Sequence, residues 1–136
     1  QLTLSVSLHA PDDETRSRLM PANRGRGVDE LMDCCRRYYR KTGRRISFEY
    51  AMIDGVNDTE YHARLLAKRA KDVSAHVNLI PLNHVEEREF RPSTEGHMKA
   101  FIRVLENEGV NVTVRRKLGG DVDASCGQLR RKMQKK

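Results

Sequence analysis

Residues 46–83 read ISFEYAMIDGVNDTEYHARLLAKRAKDVSAHVNLIPLN and decide the fold. The stretch at residues 46–52 is rich in β-branched and aromatic residues and predicts a strand. Apolar residues at helical spacing then predict a helix over residues 59–71, with an inner face formed by Ala63, Leu66, Ala67 and Ala70. A short apolar run at residues 77–80, which Pro81 stops, predicts the next strand. A strand, a helix and a strand in this order indicate two parallel strands joined by a right-handed crossover.

The same alternation continues on both sides of this unit. Towards the N-terminus, an alternating stretch predicts a strand over residues 2–8, and Asp12 can cap a short helix after it. The clearest helical stripe in the chain lies in residues 28–41. Towards the C-terminus, Ser93 is predicted to cap a further helix, and residues 110–114 predict a fourth strand. The predicted fold class is therefore α/β, built from parallel βα units.

The composition describes one rather polar domain of 136 residues, with 38% hydrophobic and 33% charged residues. No apolar run approaches the length of a membrane span and no signal peptide is visible. Three cysteines, Cys34, Cys35 and Cys126, argue against a disulfide scaffold and for a reducing, cytoplasmic location. The first two lie within a predicted helix and are interpreted as packing residues. Because the chain opens at Gln1 in mid-strand, without methionine, it is expected to be a piece of a longer protein.

Most of the net charge of +7 lies near the C-terminal end. Residues 115–136 contain eight lysines and arginines against Asp121 and Asp123. Such a cluster attracts a phosphate backbone, although a solvated basic tail would have the same composition. The chain is accordingly divided into a core of βα units, residues 1–114, and a cysteine loop with a basic tail. The cations predicted to contact a nucleic acid are Arg115, Arg116, Lys117, Arg130, Arg131 and Lys132.

Unusual polar side chains follow the predicted strands at the point where each strand ends. His9 follows the first strand, Asp54 and Asn57 the second, and Asn83 the third, and Cys126 lies in the loop after the fourth. Because the carboxyl ends of parallel strands share one edge of the sheet, these side chains are predicted to converge on a binding site. Other roles stay open at this point. His9 could cap the following helix, and Asp54 and Asn57 could belong to a tight turn and helix cap.

Six motifs, collinear along the chain, carry a resemblance to a known family. They are SLHAP at residues 7–11, LMPAN at 19–23, FEY at 48–50, DGVND at 54–58, VNLIPLN at 77–83 and DVDASCGQL at 121–129. Together they resemble the radical-SAM methyltransferases of the RlmN type, which methylate carbon 2 of an adenine in large-subunit ribosomal RNA. The Cfr type, which modifies carbon 8, is related. The resemblance covers essentially the whole chain and implies the later strands of a partial (βα) barrel followed by the C-terminal extension.

The resemblance implies roles for particular residues of this sequence. Ser7, Leu8 and His9 match a strand-end segment that contacts S-adenosylmethionine, and Asn83 matches a further cofactor-binding asparagine. Cys126 matches the cysteine that carries the methyl group as S-methylcysteine. In the family, one cofactor molecule methylates this thiol and a second yields a radical, which takes hydrogen from the S-methyl group. The methylene radical then adds to the adenine. The implied partners are ribosomal RNA, with transfer RNA left open as a second substrate, and a reductant.

The sequence also departs from the family pattern. The Cys-x3-Cys-x2-Cys motif that binds the family's 4Fe-4S cluster has no counterpart among Cys34, Cys35 and Cys126. Gly120 and Ser125 stand where the family usually has aspartate and alanine. The chain alone is therefore expected to be inactive, with the family's resolving cysteine and catalytic glutamate outside it. The open edge of its first strand is expected to favour self-association.

Two other classes of function stay open on the sequence alone. A non-catalytic, basic RNA-binding module would show an RNA affinity that falls steeply with salt, and no cofactor binding. An unrelated α/β enzyme would use Cys126 as nucleophile and His9 as base.

Overall fold

The structure is a computed structural model that describes residues 3–20, 27–82 and 90–115. Within these ranges the elements are β1 (Leu4–Ser7), α1 (Asp13–Leu19), α2 (Val28–Thr42), β2 (Ile46–Met52), α3 (Glu60–Asp72), β3 (His76–Pro81), α4 (Glu95–Asn107) and β4 (Val112–Val114). The strands form one sheet in the order β1-β2-β3-β4, and every pair is parallel. The predicted α/β class with parallel βα units is confirmed. No helix of the described ranges is both long and apolar enough to cross a membrane.

Three helices begin at a side chain that caps their free N–H groups. The Asp12 carboxylate accepts a backbone N–H of the first turn of α1 at 3.0 Å, as predicted. Thr59 caps α3 in the same way. Thr94 caps α4, so the prediction that Ser93 would cap it is wrong by one residue. The Ser93 hydroxyl donates instead to Asp58 Oδ2 at 2.6 Å, a partner distant in sequence that local pattern does not reveal.

The hydrophobic core lies between one face of the sheet and helices α2, α3 and α4. Alternate residues of β2 and β3 face it, so Phe48, Tyr50 and Leu79 are fully buried. The Tyr50 ring packs against Phe101 of α4 with ring centroids 5.4 Å apart, and its hydroxyl donates to the Asn57 carbonyl at 2.7 Å. Burying a large apolar or aromatic side chain stabilises a fold by about 1.5–3 kcal/mol. The packing of this face against the helices therefore holds the sheet in place.

Some predictions differ from the structure at single residues. β4 begins at Val112 rather than Val110, because Val110 packs into the core instead of pairing with β3. Cys35 is buried as predicted, whereas Cys34, also predicted to pack, is exposed, and both thiols are free. Tyr39 belongs to the apolar stripe of α2 in sequence, yet it lies at the exposed margin of that stripe.

The His62 side chain joins the start of α3 to the start of α1. Its Nδ1 lies 2.7 Å from Thr59 Oγ1, and its Nε2 lies 3.2 Å from Thr15 Oγ1. Thr15 Oγ1 donates to Asp12 Oδ2, so it accepts from the ring, and Nε2 carries a proton and donates to Thr15. Burial lowers the pKa of His62, against the opposing effect of the Asp12 and Asp58 charges.

The lowered pKa of His62 predicts a loss of stability in mild acid. Unfolding exposes the ring and restores its ordinary pKa of 6.5, so the unfolded chain binds more protons than the folded chain below that value. The free energy of unfolding should therefore fall as the pH drops through 6.5, and His62→Gln should flatten that fall. Urea unfolding at about pH 7.5 and about pH 5.5 measures the difference. An equal fall in both proteins would contradict the role given to His62.

Candidate functional site

The face of the sheet opposite the core carries a row of polar side chains, which we call the polar row. Ser7 pairs in register with Glu49, Glu49 with Asn78, and Asn78 with Thr113. Because side chains alternate between the two faces of a strand, these four share one face, while their neighbours Leu8, Phe48, Tyr50, Val77 and Leu79 belong to the core on the other. The row contains one residue of each strand. At β1 it coincides with Ser7, the first of the predicted cofactor contacts.

Hydrogen bonds connect the polar row across three strands. Asn78 Nδ2 donates to Glu49 Oε1 at 3.1 Å, and Thr113 Oγ1 donates to Asn78 Oδ1 at 3.1 Å. Ser47, two residues before Glu49 on the same face, donates to its Oε2 at 3.2 Å. The Glu49 side chain is only 14% exposed, so these donors replace much of the water that a carboxylate would otherwise bind. Its position is therefore fixed by neighbours on both sides.

Arg115 connects the end of β4 to the polar row. Its Nη2 lies 3.0 Å from Glu49 Oε1, and its backbone N–H donates to the Leu79 carbonyl at 2.8 Å. The Arg115 side chain is 37% exposed, so the ion pair is partly shielded from water. Arg115 is also the last described residue before the segment that contains Cys126. The Glu49–Arg115 pair thus fixes the point at which the chain leaves the sheet.

His9 occupies a tight turn directly after β1. Its φ is 57°, in the left-handed region that residues other than glycine rarely adopt, and Ala10 N–H donates to the Leu8 carbonyl across it at 2.7 Å. The buried ring accepts a hydrogen bond at Nδ1 from Ala51 N–H at 2.9 Å. Because an amide N–H can only donate, Nδ1 carries no proton and is not available as a base. Backbone strain of this kind costs about 1–3 kcal/mol and persists only where surrounding contacts hold it.

Asn57 supplies the contacts that hold this turn. Its Nδ2 donates to the His9 and Ala51 carbonyl oxygens, both at 2.7 Å, and its Oδ1 accepts Ile53 N–H at 2.9 Å. The residue is fully buried, so none of these groups has water as a substitute partner. The sequence interpretation, a turn and cap residue, missed the bond to His9. The two residues lie 48 positions apart, and only the parallel pairing of β1 and β2 brings them together.

Arg16 of α1 holds the segment after β1 from a second direction. Its Nε donates to the Leu8 carbonyl at 2.9 Å, and its Nη2 donates to the Ser7 carbonyl at 3.0 Å. Burial lowers the pKa of Arg16, with the charge of Asp13 acting in the opposite direction. Arg16 does not stand out in the sequence, because a cation in the last turn of a helix is commonplace.

The structure brings together part of the predicted site. Ser7 presents an exposed side chain on the polar face, whereas the Leu8 side chain fills the core. The His9 ring is turned towards β2, and Asp54 lies in the turn that follows that strand. The other predicted residues lie outside the described part of the chain: Asn83, Cys126, Arg116, Lys117, Arg130, Arg131 and Lys132.

A second group of titratable side chains lies beside the starts of α3 and α4. Asp54, Asp58 and His97 each bring one potential metal-ligand atom within 4.8 Å of the others. Both Asp58 oxygens already accept hydrogen bonds, from Gly55 N–H at 3.0 Å and from Ser93 Oγ at 2.6 Å. These hydrogen bonds show that Asp58 stabilises the turn after β2. We therefore assign no metal to the three side chains.

The fold is that of the radical-SAM enzymes. A radical SAM methyltransferase from Sphaerobacter thermophilus has the same fold with a TM-score of 0.83 and 44% identity, over 93% of this chain and 36% of that one. A domain of pyruvate-formate lyase-activating enzyme from Bacteroides vulgatus is similar in fold alone, with a TM-score of 0.65 and 18% identity over 84% of this chain. No family model matches the chain.

Among the radical-SAM enzymes, the curated relatives that match this chain are of one kind. Proteins named probable dual-specificity RNA methyltransferase RlmN are 54% identical over 97% of this chain in Caldanaerobacter subterraneus and 50% identical over 99% in Desulforamulus reducens. The chain spans 39% of the length of each of these relatives. It is thus homologous, over nearly its whole length, to one part of the RlmN-type radical-SAM methyltransferases. The resemblance found in the sequence is confirmed.

Proposed function

We propose that this chain supplies one part of an enzyme that methylates carbon 2 of an adenine in large-subunit ribosomal RNA. The observation that carries the proposal is 54% identity with an RlmN-named relative over 97% of the chain. The polar row supports it, because it reaches the carboxyl end of β1 at Ser7, and ligands of parallel α/β sheets bind near the carboxyl ends of the strands. The tightly held turn at His9 supports it as well, because backbone strain clusters at ligand sites. Transfer RNA is a second substrate to be tested beside ribosomal RNA.

The polar face fits S-adenosylmethionine as the bound cofactor. Ser7 offers an exposed hydroxyl, a hydrogen-bond partner that an amino acid or an adenosine can use. Glu49 and Asn78 are bonded to each other, to Arg115 and to Thr113, so they keep this face in a fixed shape. When bound, the cofactor supplies the methyl group and, with a reduced iron–sulfur cluster, the radical. The proposed contacts are the residues after β1 and one asparagine: Ser7, Leu8, His9 and Asn83.

Cys126 is the proposed methyl carrier. Carbon 2 of adenine is not nucleophilic, so it cannot accept a methyl group by polar transfer, whereas a cysteine thiolate can. Cys126 therefore accepts the methyl group as S-methylcysteine and presents it to the RNA. The basic residues around it are proposed to hold the RNA backbone. These are Arg116, Lys117, Arg130, Arg131 and Lys132, whereas Arg115, which the sequence also predicted as a contact, is paired with Glu49.

The chain does not itself fit the iron–sulfur cluster. Cys34 is exposed and its neighbour Cys35 is buried, so the two point to different sides of α2, and Cys126 is the only other cysteine of the sequence. We therefore place the cluster ligands, and the contact with the reductant, in the remaining part of the enzyme. The free thiols favour a reducing, cytoplasmic location. Among the described strands β1 pairs only with β2, and self-association through that edge stays a prediction.

A hybrid enzyme tests the proposed function. In it, this chain replaces the matching 39% of the Caldanaerobacter subterraneus relative, which retains its own remaining sequence. The hybrid is expressed in a bacterial strain that lacks its own adenine methyltransferase, and nucleosides of the ribosomal RNA are analysed by mass spectrometry. We expect 2-methyladenosine from the hybrid and none from the relative with the same segment deleted. A folded hybrid with a complete cluster that yields no methyladenosine would overturn the proposal, and 8-methyladenosine would correct the position.

The second candidate is a non-catalytic RNA-binding module, which the cluster of cations in residues 115–136 favours. Equilibrium binding of S-adenosylmethionine to the hybrid discriminates between the two. The proposed methyltransferase binds the cofactor and loses affinity for it when Ser7 is replaced by alanine. A pure RNA-binding module binds RNA with a steep salt dependence and does not bind the cofactor.

The Glu49–Arg115 ion pair is expected to affect the rate of RNA methylation in the hybrid. Both residues are positioning residues, since their ion pair fixes the chain just before the segment that carries Cys126. Glu49→Gln should lower the rate of RNA methylation about tenfold, the effect of about 1.4 kcal/mol, without changing the affinity for RNA. Glu106→Gln, which removes an exposed carboxylate, serves as the control and should leave the rate unchanged.

A double-mutant cycle shows whether the two side chains act as a unit. If they do, Arg115→Gln lowers the methylation rate by a similar factor, and the double variant is no slower than either single variant. If the double variant is slower by the product of the two single factors, the two side chains act independently, and this result would contradict the prediction. A loss of RNA affinity in Arg115→Gln alone would mean that Arg115 contacts the RNA instead.

A further inference from the structure

A second concentration of positive charge lies far from the C-terminal tail in sequence. Residues 36–45 read RRYYRKTGRR, with six cations and no acidic residue. They cover the last turns of α2 and the link to β2. Arg36 bonds to Asp33 and Asp72, but the five cations that follow it are all exposed. We call these five the basic surface: Arg37, Arg40, Lys41, Arg44 and Arg45.

Internal contacts do not account for the basic surface. Among the described residues, no carboxylate lies within ion-pair distance of Arg40, Lys41, Arg44 or Arg45. The C-terminal end of a helix carries a partial charge of only about −0.5, which one cation of the last turn can offset. Cations spaced three and four residues apart on a helix repel one another by a few tenths of a kcal/mol. The remaining cations of the cluster therefore do not stabilise the fold.

The turn within the basic surface is held in a fixed shape. Gly43 has a φ of 66°, and its N–H donates to the Tyr39 carbonyl at 2.8 Å. Thr42 Oγ1 donates to the Tyr38 carbonyl at 2.8 Å and accepts Arg44 N–H at 3.0 Å. The backbone under the cations is therefore ordered before any partner binds, which lowers the entropic cost of binding.

A neighbouring aromatic ring adds a surface for stacking. The Tyr39 ring, 37% exposed, directly precedes Arg40 in the sequence of α2. Arg45 lines an open hollow of about 510 Å³ together with His76, Glu106 and the start of β4. Burial and then the charge of Arg45 lower the pKa of His76, against the opposing effect of the Glu49 charge. Interleaved cations and an exposed aromatic ring are typical of surfaces that bind RNA.

We propose that the basic surface, Arg37 to Arg45 at the end of α2, is a second contact for the phosphate backbone of an RNA. The inference rests on the proposed function in one respect, namely that the RNA is the enzyme's own large substrate. β2 begins directly after this surface, whereas the cysteine loop follows the carboxyl end of the parallel strand β4. The basic surface therefore lies at the amino ends of the strands, opposite to the carboxyl end of β4, after which the described chain ends at Arg115.

Neutralisation of three cations tests the second contact. The variant Arg40→Gln/Lys41→Gln/Arg44→Gln is compared with Lys68→Gln/Lys99→Gln/Arg103→Gln, which removes three exposed cations from α3 and α4. Fluorescence anisotropy measures binding of a labelled hairpin RNA to the 136-residue chain and to the hybrid enzyme. Three lost phosphate contacts should weaken binding at least about tenfold and lower the salt-dependence slope by about 2, for any RNA sequence. Thermal unfolding should show both variants to be as stable as the parent chain.

Every outcome of this comparison bears on the proposal. Equal affinity and equal salt slope in the two triple variants would overturn it, because charge at α2 would then act no differently from charge elsewhere. Weakened binding to phosphatidylglycerol vesicles with unchanged RNA binding would overturn it in favour of a membrane partner. Failure of the unaltered hybrid to methylate RNA would refute the proposed function. It would leave open the proposal that the basic surface binds RNA, because the binding measurement tests that proposal independently.

Discussion

Cys126→Ala in the hybrid enzyme abolishes methylation of ribosomal RNA. The expected loss is complete to the limit of detection, because alanine has no sulfur to carry the methyl group and carbon 2 of adenine cannot accept it directly. Iron content and RNA affinity should stay at the level of the parent hybrid, since the proposed role of Cys126 is chemical. Nucleoside mass spectrometry measures the product, and iron analysis and anisotropy measure the other two quantities.

Two variants make this result specific. Cys34→Ala removes an exposed thiol of α2 and should keep full activity, which excludes a general effect of losing a cysteine. Cys126→Ser keeps the size of the side chain but replaces the thiol with a far weaker nucleophile, so it should be inactive as well. Methylation retained in Cys126→Ala would refute the carrier role.

Asn57→Ala should destabilise the fold by about 3–4 kcal/mol, a large share of the total stability of a small domain. The substitution removes three buried hydrogen bonds, those to the His9 and Ala51 carbonyls and the one from the Ile53 N–H. Each lost bond of a buried group costs about 1–3 kcal/mol, and the three losses do not add in full because the surrounding structure relaxes. Urea unfolding followed by circular dichroism measures the change.

Asn57→Asp and Asn111→Ala are the matched comparisons. Aspartate keeps the shape of the side chain, but it replaces the amide NH2 group, which donates to the His9 and Ala51 carbonyls, with an oxygen that can only accept. It should therefore destabilise the fold at least as much as alanine. Asn111 is exposed, and its replacement by alanine should change stability by less than about 0.5 kcal/mol. A loss below about 1 kcal/mol for Asn57→Ala would mean that the turn at His9 is held by other contacts.

The sequence predicts the elements of this fold well because their signals are local. The strand over residues 46–52 and the helix over 28–41 follow from the spacing of apolar residues, and the structure has them within a residue. The apolar inner face of α3 is likewise buried as expected. These signals depend only on positions within a few residues of one another.

The site is predicted less completely because its bonds connect distant parts of the chain. Glu49 and Arg115 lie 66 positions apart, and their ion pair depends on the order of four strands. Alternation can assign Glu49 to the polar face, but only the register of the sheet aligns it with Ser7 and Asn78. The charged residue in the middle of the strand at residues 46–52 was the available signal, and it was used only as part of the FEY motif.

His9 shows the limit of interpreting a residue by its type. Its place at a strand end was predicted correctly, yet neither helix capping nor a role as base describes what its ring does. The side chain accepts a backbone N–H of β2, and Asn57 completes the turn. Both partners become adjacent only when β1 and β2 pair, so the sequence suggested a site at this edge without showing how it is built.

The most direct test of the account is peptide mass spectrometry on the hybrid enzyme purified without oxygen. Trypsin releases residues 118–130, LGGDVDASCGQLR, which contain Cys126 as their only cysteine. The account predicts one methyl group on the Cys126 sulfur in enzyme isolated from cells. An unmodified Cys126 in a hybrid with a complete iron–sulfur cluster and a full supply of S-adenosylmethionine would contradict it.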